Sequence, residues 1–184
     1  MRSFLLLSLI FFIACAEKPT IKDVSLTRLD NSTTRINPKE NVLTVVYFLS
    51  PECPLCINYA LVMRNLEEQF ASDSLTFYGV HSQEWFSPDE VRDYQLKYGL
   101  DFKMLLDNGN HLAKTIGATI TPEVFVLNNE GAVVYSGKID NWVNDLGKKK
   151  LEVSDSYLEN ALIAALEGET VQPTRTKPIG CLIE

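Results

Sequence analysis

An α/β domain is the architecture this sequence predicts, and three observations predict it. Residues 42–49, Val-Leu-Thr-Val-Val-Tyr-Phe-Leu, form a continuous apolar run of strand length that gives way, after Ser50-Pro51-Glu52, to a segment of helical periodicity. A second strand-like run at 75–80 is followed by the helix-start pattern Ser87-Pro88-Asp89-Glu90. A third, at 124–127, joins 132–135 through the turn Asn128-Asn129-Glu130-Gly131 as a hairpin. Strands that alternate with helices in this way bury a sheet beneath helical layers.

The elements follow in chain order. Met1-Arg2-Ser3 and the apolar residues 4–14 make a charged start and a run too short to span a bilayer comfortably, which predicts an export signal over 1–14. It ends at Ala14-Cys15, and Phe12-Ile13-Ala14-Cys15 resembles a bacterial lipoprotein cleavage box, with Phe12 where Leu is usual. That resemblance implies a lipidated Cys15, a tether over 15–23, and a domain held at a membrane surface facing the periplasm or cell exterior. Residues 24–29 and 33–36, joined by the polar turn 30–32, read as a hairpin.

After the strand at 42–49, Leu61, Leu66 and Phe70 recur among Arg64, Glu67 and Glu68 at helical spacing, so residues 57–70 should be helical. Downstream of the strand at 75–80, Ser87 as N-cap, Pro88 at the first position and Glu90 three after the serine predict a helix over 91–98. The turn 107–110 leads to a short helix at 111–116, and residues 158–166 read as a closing amphipathic helix. The domain is expected over 24–168, with a tail over 169–184 that carries Cys181.

The chemistry lies at the junction of the strand 42–49 and the helix after it, where the sequence reads Cys53-Pro54-Leu55-Cys56. A cysteine at a helix N-terminus meets unpaired backbone N–H groups and the positive end of the helix dipole, which favour thiolate over thiol. Cys53 is therefore the expected attacking thiol, and Cys56, one turn further in, is placed to resolve a mixed disulfide. A purely structural disulfide between them would close too small a loop to stabilise much. Together with Ile120-Thr121-Pro122-Glu123 just before the strand at 124–127, this pattern resembles the thioredoxin superfamily over about residues 40–145.

The resemblance implies a three-layer fold with a central mixed β-sheet flanked by helices. It also implies a cis proline at Pro122 facing the thiols, and client backbone bound at Thr121 and Pro122. Its activity would be thiol–disulfide exchange with protein thiols and disulfides of exported clients and with a membrane or periplasmic redox partner. Sulfur exchange needs no organic cofactor. Pro54 directly after Cys53 resembles the glutaredoxin arrangement more than thioredoxin's Gly-Pro. Two positions depart from the thioredoxin pattern: Tyr47 stands where a buried Asp precedes the first cysteine by six residues, and Glu52 replaces the usual Trp. Ser50-x-x-Cys53 fits a peroxiredoxin spacing, but Val46 stands where that pattern has Pro.

Cys181, in Gly180-Cys181-Leu182-Ile183, is either a third redox thiol that folds back to Cys53 or meets a partner, or a small apolar residue pinning the tail. The ending resembles that of a group of bacterial redoxins. His81 and His111 could join the thiols as copper ligands, because thiolates and imidazole suit copper. Sco-type copper chaperones share the thioredoxin-like fold but carry Cys-x-x-x-Cys, one residue more than here, so no metal site is expected. Trp85, Phe86 and Trp142 are candidates for an apolar rim, with core packing the default for both tryptophans. Lys148, Lys149 and Lys150 read as a solvated loop. The chain carries 17 basic and 24 acidic residues, a net charge of −7 that becomes about −8 once residues 1–14 are gone. An acidic domain with no basic stripe excludes nucleic acid as a partner and leaves the lipid as the membrane anchor.

Overall fold

The structure, a computed structural model, describes residues 21, 24–70, 72, 74–83, 85–145 and 147–184. The signal at 1–14, Cys15 and all but residue 21 of the tether lie outside the described residues. The chain runs β1 (Leu26–Arg28), β2 (Thr33–Thr34), a 3-10 turn (Pro38–Glu40), β3 (Leu43–Phe48), α1 (Pro54–Phe70) and β4 (Leu75–His81). It continues through α2 (Pro88–Tyr98), β5 (Lys103–Leu106), α3 (His111–Ile116), β6 (Ile120–Thr121), β7 (Glu123–Asn128) and β8 (Val133–Gly137). It closes with β9 (Val143–Asp145), β10 (Lys148–Lys149), α4 (Tyr157–Leu166) and β11 (Cys181–Leu182).

Among the described residues the main sheet has seven strands in the order β2-β1-β5-β4-β3-β7-β8. β3 runs parallel to β4 and antiparallel to β7, and β4 runs parallel to β5, so the sheet is mixed as expected. The apolar run that carries β3 is continuous because both faces of the strand are covered. Leu43, Val45 and Tyr47 face a core shared with α1, α2 and α4. Val46 and Phe48 face a second core, built with Leu112, Ala113 and Ile116 of α3. Each fully buried Val or Phe of β3 adds roughly 1.5–3 kcal/mol by leaving water.

Local chemistry sets the helix ends. The expected capping box of α2 is present, with Glu90 N–H donating to Ser87 and the Glu90 carboxylate accepting from the Ser87 N–H, and Gly99 closes the helix at φ 62°. α3 is capped from a distance, because the Asp107 carboxylate at the end of β5 accepts from the N–H groups of Leu112 and Ala113, both at 2.9 Å. Lys148 and Lys149, expected in a loop, instead form β10 against β9. Lys149 lies over the Trp142 ring at 4.4 Å, a cation–π contact that gives this exposed pair a reason to order.

The tail is laid over the domain. Val171 is buried in the first core. Ser136 of β8 accepts from Thr176 N–H at 2.9 Å and donates its own N–H to the Thr174 carbonyl at 3.0 Å. Thr176 Oγ1 accepts from Lys138 N–H at 2.8 Å and shares a hydrogen bond with the Tyr135 hydroxyl at 2.8 Å. From β8 the chain crosses to β6, where β11 pairs antiparallel with Cys181 opposite Thr121 and Leu182 opposite Ile120.

Candidate active site

β3 delivers the loop 49–52 to the C-terminal edge of the sheet, and α1 starts immediately after it. Cys53 donates its N–H to the Ser50 carbonyl at 3.1 Å, and its own carbonyl accepts from Ile57 N–H at 3.1 Å, the first helical bond. That places Cys53 at the N-cap and Pro54 at the first helical position, where a missing N–H costs nothing. The helix thus begins at the cysteine, where the sequence reading expects its N-terminus, three residues before the side-chain periodicity sets in, because periodicity reports burial and the cap reports backbone.

The three described cysteines are free thiols. Cys53 is 2% exposed, and its sulfur donates to the Thr121 carbonyl at 3.1 Å. Hydrogen bonding from the Cys56 thiol is the main force holding the Cys53 thiol down to about 5, with burial opposing it and Cys181 and the backbone N–H groups of Cys56 and Leu55 assisting. The Thr121 carbonyl works against the thiolate, since it accepts a proton only the thiol has. Cys56 has no exposed surface, and burial first and the Cys53 sulfur second push its thiol well up. Ser50 N–H donates to the Cys56 sulfur at 3.4 Å. The Tyr94 hydroxyl donates to the Cys56 carbonyl at 3.3 Å.

Thr121 and Pro122 stand beside this pair, as the thioredoxin resemblance implies, and the bond between them is cis. Both are buried. Glu123, which no sequence motif singles out, braces them. Glu123 is 1% exposed, and its carboxylate accepts from Thr119 N–H at 2.9 Å and Ile120 N–H at 3.4 Å. Burial raises its pKa. A signal for it does lie in the sequence: a carboxylate that opens a central strand must find donors close by.

Cys181 joins the site, its sulfur 2.8 Å from that of Cys53. Burial and then the neighbouring Cys53 push the Cys181 thiol up to about 12. Tyr47 is wholly buried, packed on Phe77 and Phe102 at ring distances of 6.1 and 5.5 Å, so an aromatic core residue fills the place of the thioredoxin carboxylate. Glu52 is exposed.

The histidines go separate ways. His111 is exposed on α3, while His81 is buried at the end of β4 with its ring edge-on to Tyr94 at 6.0 Å. Burial alone pushes His81 down to about 3, so it is neutral. Among the described residues no three His, Cys, Asp or Glu side chains are grouped to hold a metal ion. Trp85 is 53% exposed, whereas Phe86 is buried. Trp142 packs edge-on against Tyr59 at 5.5 Å, and the Tyr59 hydroxyl donates to Asp140 at 2.6 Å.

A family model described as AhpC/TSA matches residues 18–136, which take in the sheet, the thiol pair and the Thr121–Pro122 corner. The chain belongs to the AhpC/TSA family. It is a redoxin of the thioredoxin superfamily, and solved structures show the same architecture. A hypothetical protein of Sinorhizobium meliloti is 26% identical, with a TM-score of 0.79 over 90% of this chain and 92% of its own. An uncharacterised conserved protein of Geobacillus kaustophilus is 24% identical, with a TM-score of 0.77 over 92% of this chain and 93% of its own. A secreted disulfide oxidoreductase of Mycobacterium tuberculosis, homologous to E. coli DsbE, shares the fold at 15% identity and a TM-score of 0.54, over 78% and 94% of the two chains. No curated protein matches the chain.

Proposed function

We propose that this protein is a thiol–disulfide oxidoreductase that exchanges disulfides with exported protein clients through Cys53 and Cys56. The observation that carries the reading is the position of Cys53: at the N-cap of α1, with its thiol held down to about 5, and 3.1 Å from the carbonyl that precedes Pro122. A thiolate of low pKa is both a ready nucleophile near neutral pH and a fast leaving group. In client reduction, the Cys53 thiolate attacks one sulfur of the client disulfide and the other client sulfur leaves as thiolate. Cys56 then attacks the Cys53 sulfur, which forms the Cys53–Cys56 disulfide and frees the client dithiol. Oxidation of a client dithiol is the same sequence reversed.

Export and anchoring rest on residues 1–15, and the name of the M. tuberculosis neighbour records a secreted protein. The proposed attachment is a lipid on Cys15, which rests on the resemblance of Phe12-Ile13-Ala14-Cys15 to a lipoprotein cleavage box; among the described residues no helix is long and apolar enough to cross a membrane. The alternative of copper held by Cys53, Cys56 and one histidine has no such grouping behind it among the described residues.

The test equilibrates the full chain in buffers of reduced and oxidised glutathione, traps free thiols by alkylation and follows Cys53 by peptide mass spectrometry. A Cys53 that passes reversibly between thiol and disulfide, with all exchange lost in Cys53→Ser, supports the function. A Cys53 that stays a thiol across the whole range overturns it.

A further inference from the structure

Cys53 is the reactive thiol, yet almost none of it is accessible, and the covering element is the chain's own C-terminal segment. β11 runs antiparallel to β6 with Cys181 opposite Thr121. Beyond it, Ile183 N–H donates to the Thr119 carbonyl at 2.9 Å, and the Asn110 side-chain amide donates to the Glu184 carbonyl at 2.9 Å. Before it, Ile179 lines one crevice with Pro122, Tyr59 and Ile139. Gly180 is required by this fit, because a Cβ there would lie 2.0 Å from the Thr121 carbonyl oxygen. An extended segment paired through its backbone to an otherwise open strand is how sheet edges take peptides. Here the segment ends its approach with one sulfur 2.8 Å from another.

We propose that residues 178–184 are a built-in client strand, and that Cys181 is a third redox thiol that takes the disulfide from the Cys53–Cys56 pair and exchanges it with outside thiols. This rests on the proposed oxidoreductase function. Starting from the Cys53–Cys56 disulfide, the Cys181 thiolate attacks the Cys53 sulfur. The Cys53–Cys56 bond breaks, the Cys53–Cys181 bond forms, and Cys56 leaves as a thiolate that takes up the proton Cys181 released. No net oxidation occurs in this step. A client thiolate then attacks the Cys181 sulfur, and Cys53 leaves as thiolate. The second client thiol closes the client disulfide and releases Cys181, so two electrons have moved from the client dithiol to the protein.

Accessibility and leaving-group chemistry favour this order. Cys181 is half-buried, whereas Cys53 is 2% exposed and Cys56 has no exposed surface, so Cys181 is the sulfur an outside thiol meets. Of the two sulfurs in a Cys53–Cys181 bond, Cys53 has the lower thiol pKa and leaves faster. Attack at Cys181 is therefore both the reachable and the faster route.

The experiment oxidises the full chain partially with oxidised glutathione, quenches with acid, and maps disulfide-linked peptides by mass spectrometry. The expected result is a Cys53–Cys181 linked pair alongside Cys53–Cys56, with the Cys53–Cys181 share falling at least tenfold in Gly180→Val while Cys53–Cys56 persists. Circular dichroism confirms that the variant is folded. The double variant Cys181→Ser, Leu182→Cys moves the tail thiol one residue along and controls for thiols that merely collide in a loose tail. Only Cys53–Cys56 in the unaltered chain overturns the internal client strand and leaves the oxidoreductase standing. Capture of the displaced thiol as readily as Cys181 also overturns it, since a seated strand turns alternate side chains to opposite faces. A Cys53 found in no disulfide overturns both readings.

Discussion

The sulfur of Cys53 has hydrogen-bond donors on one side, the Cys56 and Cys181 thiols and the N–H groups of Leu55 and Cys56, and the Thr121 carbonyl on the other. The donors win, and the thiol is held down to about 5, below the value near 8.5 of a free cysteine in an unfolded chain. The sign follows from linkage: the thiolate's contribution to stability is complete above about 8.5 and is lost as pH falls through about 5. Cys56 and Cys181 are shifted the other way, so near pH 7 Cys53 is the one thiolate among the described cysteines. Ultraviolet thiolate absorbance of the reduced protein should show a single group lost with a midpoint near pH 5 and missing in Cys53→Ser. A midpoint near 8.5 would mean that the N-cap does not activate this sulfur.

Among the elements, β3, β4, α2, α4 and the β7–β8 hairpin are legible because each carries its own pattern, a buried apolar run, a capping box, an amphipathic period or a turn flanked by strands, and α3 is announced by the turn 107–110 before it. The thiol pair was legible for the same reason, being local. What escaped the sequence owes its structure to partners. Lys103-Met-Leu-Leu of β5 shows no alternation and is a strand because β4 and β1 flank it. Residues 120–121 and 181–182 are strands only because they pair with each other. The strap of residues 174–176 on β8 is likewise a tertiary contact, and Gly137 makes it possible. At φ 130°, with a Cβ that would lie 2.2 Å from the Thr176 carbonyl oxygen, this position tolerates no side chain. Gly137→Ala should cost about 1–3 kcal/mol through strain and a displaced strap. In thermal unfolding that amounts to a midpoint lowered by several degrees, and an unchanged midpoint would show that the strap is not part of the folded unit.

Taken whole, the molecule joins its two distant ends of chemistry in one place. The Cys-x-x-Cys loop brings a reactive thiol to the edge of the sheet, and the last residues travel along β8 and across to β6 to meet it, 128 positions later. The same sulfur–sulfur bond can therefore close a ring of a few residues or one that encloses most of the domain. In the chain-entropy model, closing 128 residues restrains the unfolded chain by about 3 kcal/mol more than closing the Cys53–Cys56 loop does. Protein trapped with Cys53 joined to Cys181 should thus melt several degrees above protein trapped with Cys53 joined to Cys56, at an identical count of electrons and atoms. Calorimetry of the two isomers would measure that gap, and equal melting temperatures would remove it. The position of one sulfur–sulfur bond would then serve as a dial on toughness: heat and proteases would find the oxidised protein harder to open when its bond is parked at the tail than when that bond has been drawn back inside.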